Sequence, residues 1–234
     1  MRNRIPLLLR ISFVSMILAG CRSSSVGPDA SQTGKLSLLP LTVGNQWLYG
    51  GWYATPSLSD SFHMVIDRQT SFGDETTKVY RKLFYSVHSS TPPSYGWLYS
   101  NKSDGVHLIG GLADTDTLLL ESMYRKYPTT VGDSWQVLNV GFAFATNSFE
   151  PADTVTVSTI AVDKEVITPA GAFTCVVYKY SFKPDEDVLG WWNVYEYYSP
   201  GIGLVLQIVK NQAPGQAEIP DTVQLTSLCQ YHIN

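Results

Sequence analysis

From residue 36 onward, apolar and polar positions alternate with a period of two, which predicts strands. The pattern is clearest in VQLTSLCQYHI (223–233), where Val223, Leu225, Cys229, Tyr231 and Ile233 share one face with Ser227. Gln224, Thr226, Gln230 and His232 take the other face, interrupted by Leu228. The same reading predicts strands in 153–162, 173–182, 190–199 and 203–210. Pro169-Ala170-Gly171 and PGIG (200–203) supply turns between them, because Pro presets φ and Gly accepts positive φ. Asp104-Gly105 marks a hairpin within 95–111. One segment is ambiguous: in DTLLLESMYRKYP (116–128), Leu119, Leu120, Met123 and Tyr127 also fit a helical stripe. Long amphipathic helices are absent, and the expected class is all-β.

Two stretches nearly coincide, PLTVGNQW at 40–47 and PTTVGDSW at 128–135, with their glycines 88 residues apart. Gly44-Asn45 and Gly132-Asp133 can take the left-handed backbone of a tight turn. Trp47 and Trp135 would then open the next strand and pack back over the turn. A functional role for Asn45 or Asp133 is the alternative. The repeat implies two related halves, roughly 38–125 and 126–234, each a β-meander within one domain spanning 36–234.

The N-terminus reads differently. Arg2, Arg4 and Arg10 precede and flank a short apolar run, ISFVSMIL (11–18), too short to span a bilayer as a helix. The run ends Leu18-Ala19-Gly20-Cys21, which resembles the bacterial lipoprotein box. That resemblance implies that residues 1–20 are a signal peptide, that Cys21 becomes the acylated N-terminus, with palmitate among its chains, and that the protein is anchored in a bacterial envelope. Two or more acyl chains make such anchoring stable. Arg22 after the Cys, rather than Asp, implies the outer membrane. Residues 22–35 carry Ser, Gly, Pro, Asp, Gln and Thr without apolar periodicity and read as a flexible tether. Loss of 1–20 leaves 13 basic against 20 acidic residues, a net charge of −7. An acidic surface without a basic cluster argues against nucleic acid and against adhesion to anionic headgroups.

Motifs that carry chemistry are scarce. Patterns such as G-x-S-x-G, H-E-x-x-H or a P-loop do not occur. His63, His88, His107 and His232 stand singly, without metal-ligand spacing. Asp114/Asp116 and Asp185/Glu186/Asp187 form acidic clusters, but neither has the residue order of a calcium-binding loop, and solvated loop acids are the expectation. No catalytic residue, metal ligand or cofactor is therefore expected. Cys175 and Cys229 remain after Cys21, either as a disulfide or as two inert buried thiols. The aromatic run WWNVYEYY (191–198) is the best hint of binding. On a strand, Trp191, Tyr195 and Tyr197 share one face and Trp192, Val194 and Tyr198 the other.

The segments Leu38–Gly50, Tyr127–Val137, Val166–Tyr180 and Tyr197–Ile208 together resemble a family of bacterial envelope proteins, some labelled TapB-like. The resemblance covers most of 38–210 and implies a curved antiparallel sheet, an open half-barrel similar to those of lipoprotein carriers; a β-sandwich is the alternative. It implies no activity. The expected protein is a lipid-anchored, non-enzymatic binding or structural module, with a small apolar or lipid-like ligand in a concave sheet. A glycan- or protein-binding surface using Trp191, Trp192, Tyr195, Tyr197 and Tyr198 is the second reading. A hydrolase using Asp185 or Asp187 is the third.

Overall fold

A computed structural model describes residues 36–53, 55–71, 77–89, 93, 95–113, 117–143, 148–182, 191–212 and 222–234. Every regular element among them is a strand. The first half holds β1 (Gln46–Tyr53), β2 (Thr55–Ser71), β3 (Lys78–Ser86), β4 (Gly96–Lys102), β5 (Gly105–Leu112) and β6 (Thr117–Lys126). The second holds β7 (Ser134–Ala143), β8 (Ser148–Thr168), β9 (Gly171–Phe182), β10 (Trp191–Ser199), β11 (Gly203–Gln212) and β12 (Thr222–His232). All twelve join one antiparallel sheet in the order β6-β5-β4-β3-β2-β1-β12-β11-β10-β9-β8-β7. That order is two consecutive six-stranded meanders joined where β1 pairs β12.

Twisted sheets of this width curl or split. This one curls until its outermost strands approach each other, giving a barrel that is closed except for one seam between β6 and β7. The curved sheet expected from the sequence is thus the fold, and the sandwich is not. The ambiguous segment around 116–128 is strand β6, not helix. Tertiary pairing to β5 decides it, and exposure alternates from Thr117 to Glu121 as a strand requires.

The repeated motif builds the same turn twice. Gly44 and Gly132 adopt φ of 95° and 94°. The Gly44 N–H donates to the Ile66 carbonyl at 2.9 Å, and the Gly132 N–H donates to the Thr159 carbonyl at 2.9 Å. The following residues return the bond: the Ile66 N–H donates to the Asn45 carbonyl at 3.0 Å, and the Thr159 N–H to the Asp133 carbonyl at 2.9 Å. Each turn therefore clips the start of one strand (β1 or β7) to its neighbour (β2 or β8).

Around these turns the two halves differ. Residues 36–41 cross one end of the barrel, with Leu38 and Leu39 each 1% exposed. The segment is pinned from both sides. Asn101 Nδ2 donates to the Leu39 carbonyl at 2.8 Å, and the Gly201 N–H donates to the Ser37 carbonyl at 2.8 Å. Trp47 is fully buried against this plug and donates its Nε1–H to the Ile202 carbonyl at 2.6 Å. Trp135, its counterpart, packs edge-on against Tyr178, but its buried Nε1 meets no acceptor among the described residues. Asn45 is fully buried, donating to the Pro40 carbonyl at 2.7 Å and accepting from the Asn234 N–H at 2.8 Å. Asp133 instead caps its own turn through Thr129 and Thr130 and pairs with Lys126 at 2.9 Å. Those bonds hold its carboxyl down at about 2.

The paired turns make a comparison within one molecule. A Cβ at Gly132 would meet nothing within 4 Å, whereas one at Gly44 would sit 2.7 Å from Asn234 Nδ2. Gly132→Ala should lose about 1–2 kcal/mol of stability through the left-handed backbone alone. Gly44→Ala should lose more, because it also displaces the C-terminal residue. Urea denaturation of both variants checks this; equal losses would show that the Asn234 contact contributes nothing.

Candidate functional site

Strand parity places the site. Along β10, Val194, Glu196 and Tyr198 are buried on the face that also carries Trp192. That face looks into the barrel. An acid in the middle of an apolar stripe needs partners, and Glu196, 2% exposed, has four donors. Arg125 Nε and Nη2 donate to Glu196 Oε2 at 2.8 and 2.5 Å. Tyr180 Oη and Gln207 Nε2 donate to Oε1 at 3.2 and 3.1 Å.

Arg125 reaches the lumen because of a β-bulge. Val106 pairs with Arg125, but the next residue, His107, pairs with Met123. Tyr124 is the extra residue, so Tyr124 and Arg125, consecutive in sequence, both line the interior. The remaining guanidinium nitrogen, Nη1, donates to the Tyr124 carbonyl at 2.6 Å. Burial acts to lower the Arg125 pKa, but the Glu196 carboxylate overrides it and holds the guanidinium charged, well above its usual value.

A belt of tyrosines surrounds the pair. Tyr99 meets Tyr124 edge-on at 5.2 Å, and Tyr178 meets Tyr198 edge-on at 5.8 Å. Burial raises the pKa of Tyr49, Tyr99, Tyr180 and Tyr198 well above that of a free phenol, so they stay neutral donors. Lys82 on β3 completes the group. Its ammonium lies 4.3 Å from the centre of the Tyr99 ring and 5.8 Å from that of Tyr124. Burial lowers its pKa to about 8; Glu196 opposes the shift and Arg125 adds to it.

Beside this network, at the seam, lies a pocket of about 110 Å³. Trp97, Leu108, Val137, Leu138, Val155 and Val157 make its apolar walls, and Tyr99, Tyr124, Arg125 and Tyr180 its polar part. The seam itself carries no strand ladder among the described residues. Ser122 Oγ accepts the Leu138 N–H at 3.4 Å, Tyr178 Oη donates to the Lys126 carbonyl at 2.7 Å, and Trp97 packs edge-on against Phe149 at 5.0 Å. Gly111 lies under that Phe149 ring, where a Cβ would come within 2.3 Å of it.

The residues singled out from the sequence are distributed as follows. Trp191, Tyr195 and Tyr197 face outward; Trp191 is 48% exposed, and Tyr195 is flanked by Lys179 and Lys210 at 5.1 and 5.6 Å. Trp192 and Tyr198 face inward, so the five aromatics do not form one flat strip. Cys175 and Cys229 are buried thiols with no disulfide between them, and burial pushes the Cys175 thiol up to about 12. His107 Nε2 lies 2.9 Å from Asp104, with Glu121 3.5 Å from its other nitrogen. No group of three metal-ligating side chains occurs among the described residues. Cys21, Asp114, Asp116, Asp185, Glu186 and Asp187 lie outside the described residues.

Arg125, Glu196, Tyr180, Tyr124 and Lys82 were not signalled as site residues by any motif. Glu196 had a detectable signal, as the one charge on the inward face of an aromatic strand. Arg125 had none, because the bulge that turns it inward breaks the parity by which faces are read.

Two predictions follow from the interior charges. Removing one member of a buried pair strands the other, which costs about 3–5 kcal/mol, while replacing both with apolar groups can be neutral. Arg125→Met should therefore destabilise strongly, and Arg125→Met combined with Glu196→Leu should recover most of the loss in chemical denaturation. For Lys82 the folded pKa, about 8, lies below the ordinary 10.5. Between those values the unfolded chain binds more protons, so stability rises as pH increases through the window. Thermal melts should show this rise from pH 8 to 9.5, and Lys82→Met should abolish it.

No protein-family model matches the chain, and no curated protein matches it. Two solved structures match the chain. One is a presumed exported protein with a YmcC-like fold from Bacteroides fragilis, 18% identical, with a TM-score of 0.50, covering 84% of this chain and 99% of that one. The other is a presumed lipoprotein from Parabacteroides distasonis, 14% identical, with a TM-score of 0.49 and the same coverage of both chains. At these identities the first shows a common barrel and no shared activity.

Proposed function

We propose that the protein is a lipid-anchored envelope protein, held by acyl chains on Cys21, whose barrel retains a small apolar molecule or the end of a lipid-like chain in the seam pocket. The observation that carries this reading is the pocket itself, with six apolar walls, a polar inner end and a position at the one unpaired junction of the sheet. Its size sets the ligand. Pockets for whole drug-sized molecules measure about 300–1,000 Å³, and an apolar cavity of about 150 Å³ holds benzene. At about 110 Å³, this pocket fits the end of a chain or a small ring, not a complete lipid.

The reading is non-enzymatic. Glu196, the carboxylate beside the pocket, has both oxygens occupied by two donors each, which leaves it no free lone pair aimed at a substrate proton. An outer-membrane location is part of the proposal and is supported by the LAGC sequence and Arg22. So is the description of a protein of like fold as exported. The outward trio Trp191, Tyr195 and Tyr197 supports a second reading, a surface contact for a sugar or protein, because Trp191 is a large aromatic left half exposed among the described residues.

Native mass spectrometry of the full chain purified from the envelope, with organic extraction of the same sample, tests the first reading. Acyl chains on Cys21 are covalent and stay with the polypeptide. An extracted molecule of small or chain-like apolar character is the expected result. A protein mass with only its covalent modifications, and an extract with nothing in it, would overturn the ligand.

A further inference from the structure

We infer that the seam pocket takes a monoanion, a carboxylate with a small apolar body, and that Lys82 is the counter-charge that selects it. The inference rests on the ligand-holding reading and deepens it.

The charges around the pocket do not balance. Arg125 and Glu196 neutralise each other through two hydrogen bonds. Lys82 is left over. Among the described residues its ammonium meets only the faces of Tyr99 and Tyr124, and the charged groups acting on it are Glu196 and Arg125, which oppose each other. A cation held by ring quadrupoles alone in a partly desolvated site is weakly compensated compared with one facing an anion.

Lys82 is not itself a lining residue, but its ammonium touches two residues that are. Tyr99 and Tyr124, the two rings under the ammonium, both line the pocket. Lys82 is also the direct cross-strand partner of Trp97, a third lining residue. Directly opposed residues on antiparallel strands have Cβ atoms about 4.5–5.5 Å apart, so the flexible lysine stem runs beside that wall. Tyr180 donates its proton to Glu196 and Tyr99 is bonded to Tyr124, so of the lining phenols Tyr124 is the one whose hydroxyl can donate to the same end. A hydroxyl donor and a spare cation at one end, with aliphatic and indole walls at the other, describe the two ends of a small carboxylic acid. One surplus charge fits one negative charge, which favours a carboxylate over a doubly charged phosphate.

Hexanoate and 1-hexanol have the same tail and differ in the head group, and Trp97 provides a fluorescence signal from the pocket wall. Titrating the full chain at pH 7 should give hexanoate binding about tenfold tighter than hexanol. In Lys82→Met, which removes a buried charge but keeps an unbranched side chain, the preference should vanish while hexanol binding is retained. In the wild type, hexanoate affinity should fall as pH rises from 7 through 9.5, and hexanol affinity should not. Equal affinities for the two probes in the wild type would overturn the anion assignment and leave the apolar pocket standing. A hexanoate preference that survives Lys82→Met would overturn the role of Lys82. Failure of both probes to bind would overturn the ligand-holding reading together with this one.

Discussion

A sheet that begins and ends at a seam must hold that seam without a ladder, and in this barrel the buried Arg125–Glu196 pair reinforces the few side-chain contacts that cross it. Arg125 belongs to the outermost strand β6, while Glu196 stands on β10, three strands in from the other edge. The bond therefore spans the lumen rather than the gap between edges. It does not compete with backbone pairing and tolerates an imperfect junction. Desolvating two charges costs several kcal/mol each, so the pair is not simply a source of stability. Its geometry fixes which way β6 closes. An alternative register would separate the two charges and leave each buried without its counter-ion, a larger penalty than the pair itself carries.

Two other features act with it at different levels. The repeated turn, with Gly44 and Gly132 in the same conformation and the same reciprocal bonds, sets where each meander starts. The plug breaks the symmetry that the repeat would otherwise impose. Residues 36–41 fill the barrel end at the start of the first half and give Trp47 and Asn45 their buried bonds. The second half has the incoming loop from β6 in that place, and there Trp135 lacks an acceptor and Asp133 turns to Lys126. The plugged region is packed by aliphatic side chains. The pocket opens instead near β6 and β7, where pairing is missing. The pocket follows from one fact: twelve strands curl far enough to meet but not to pair.

Most of the fold could be read in the chain because strands, turns and the repeat are local. Alternation at 223–233, the Asp104-Gly105 hairpin and the PGIG turn all recur as β12, the β4–β5 connection and the β10–β11 connection. The 116–128 segment was undecidable locally, since Leu119 and Leu120 serve a helical stripe as well as a strand; pairing with β5 resolves it. The site was less legible. Glu196 could be read as a charge on an inward face. Arg125 and Tyr124 could not, because a bulge is a property of the pairing and not of β6 alone. Lys82 looks like an ordinary solvated lysine until the sheet curls and sets Tyr99 and Tyr124 beneath it. The division of the aromatic run across two faces was legible from strand parity, and the barrel shows which face looks inward.

If the Arg125–Glu196 pair closes the barrel, amide hydrogen exchange of wild type against the Arg125→Met/Glu196→Leu double variant, which removes the tie while keeping most of the global stability, registers its loss. Loss of a tie that acts only on closure should speed exchange in β5 and β6 and around the seam, while β1, β2, β11 and β12 keep their protection. Uniform acceleration through all twelve strands, or no change at β6, would reduce the pair to one more buried contact.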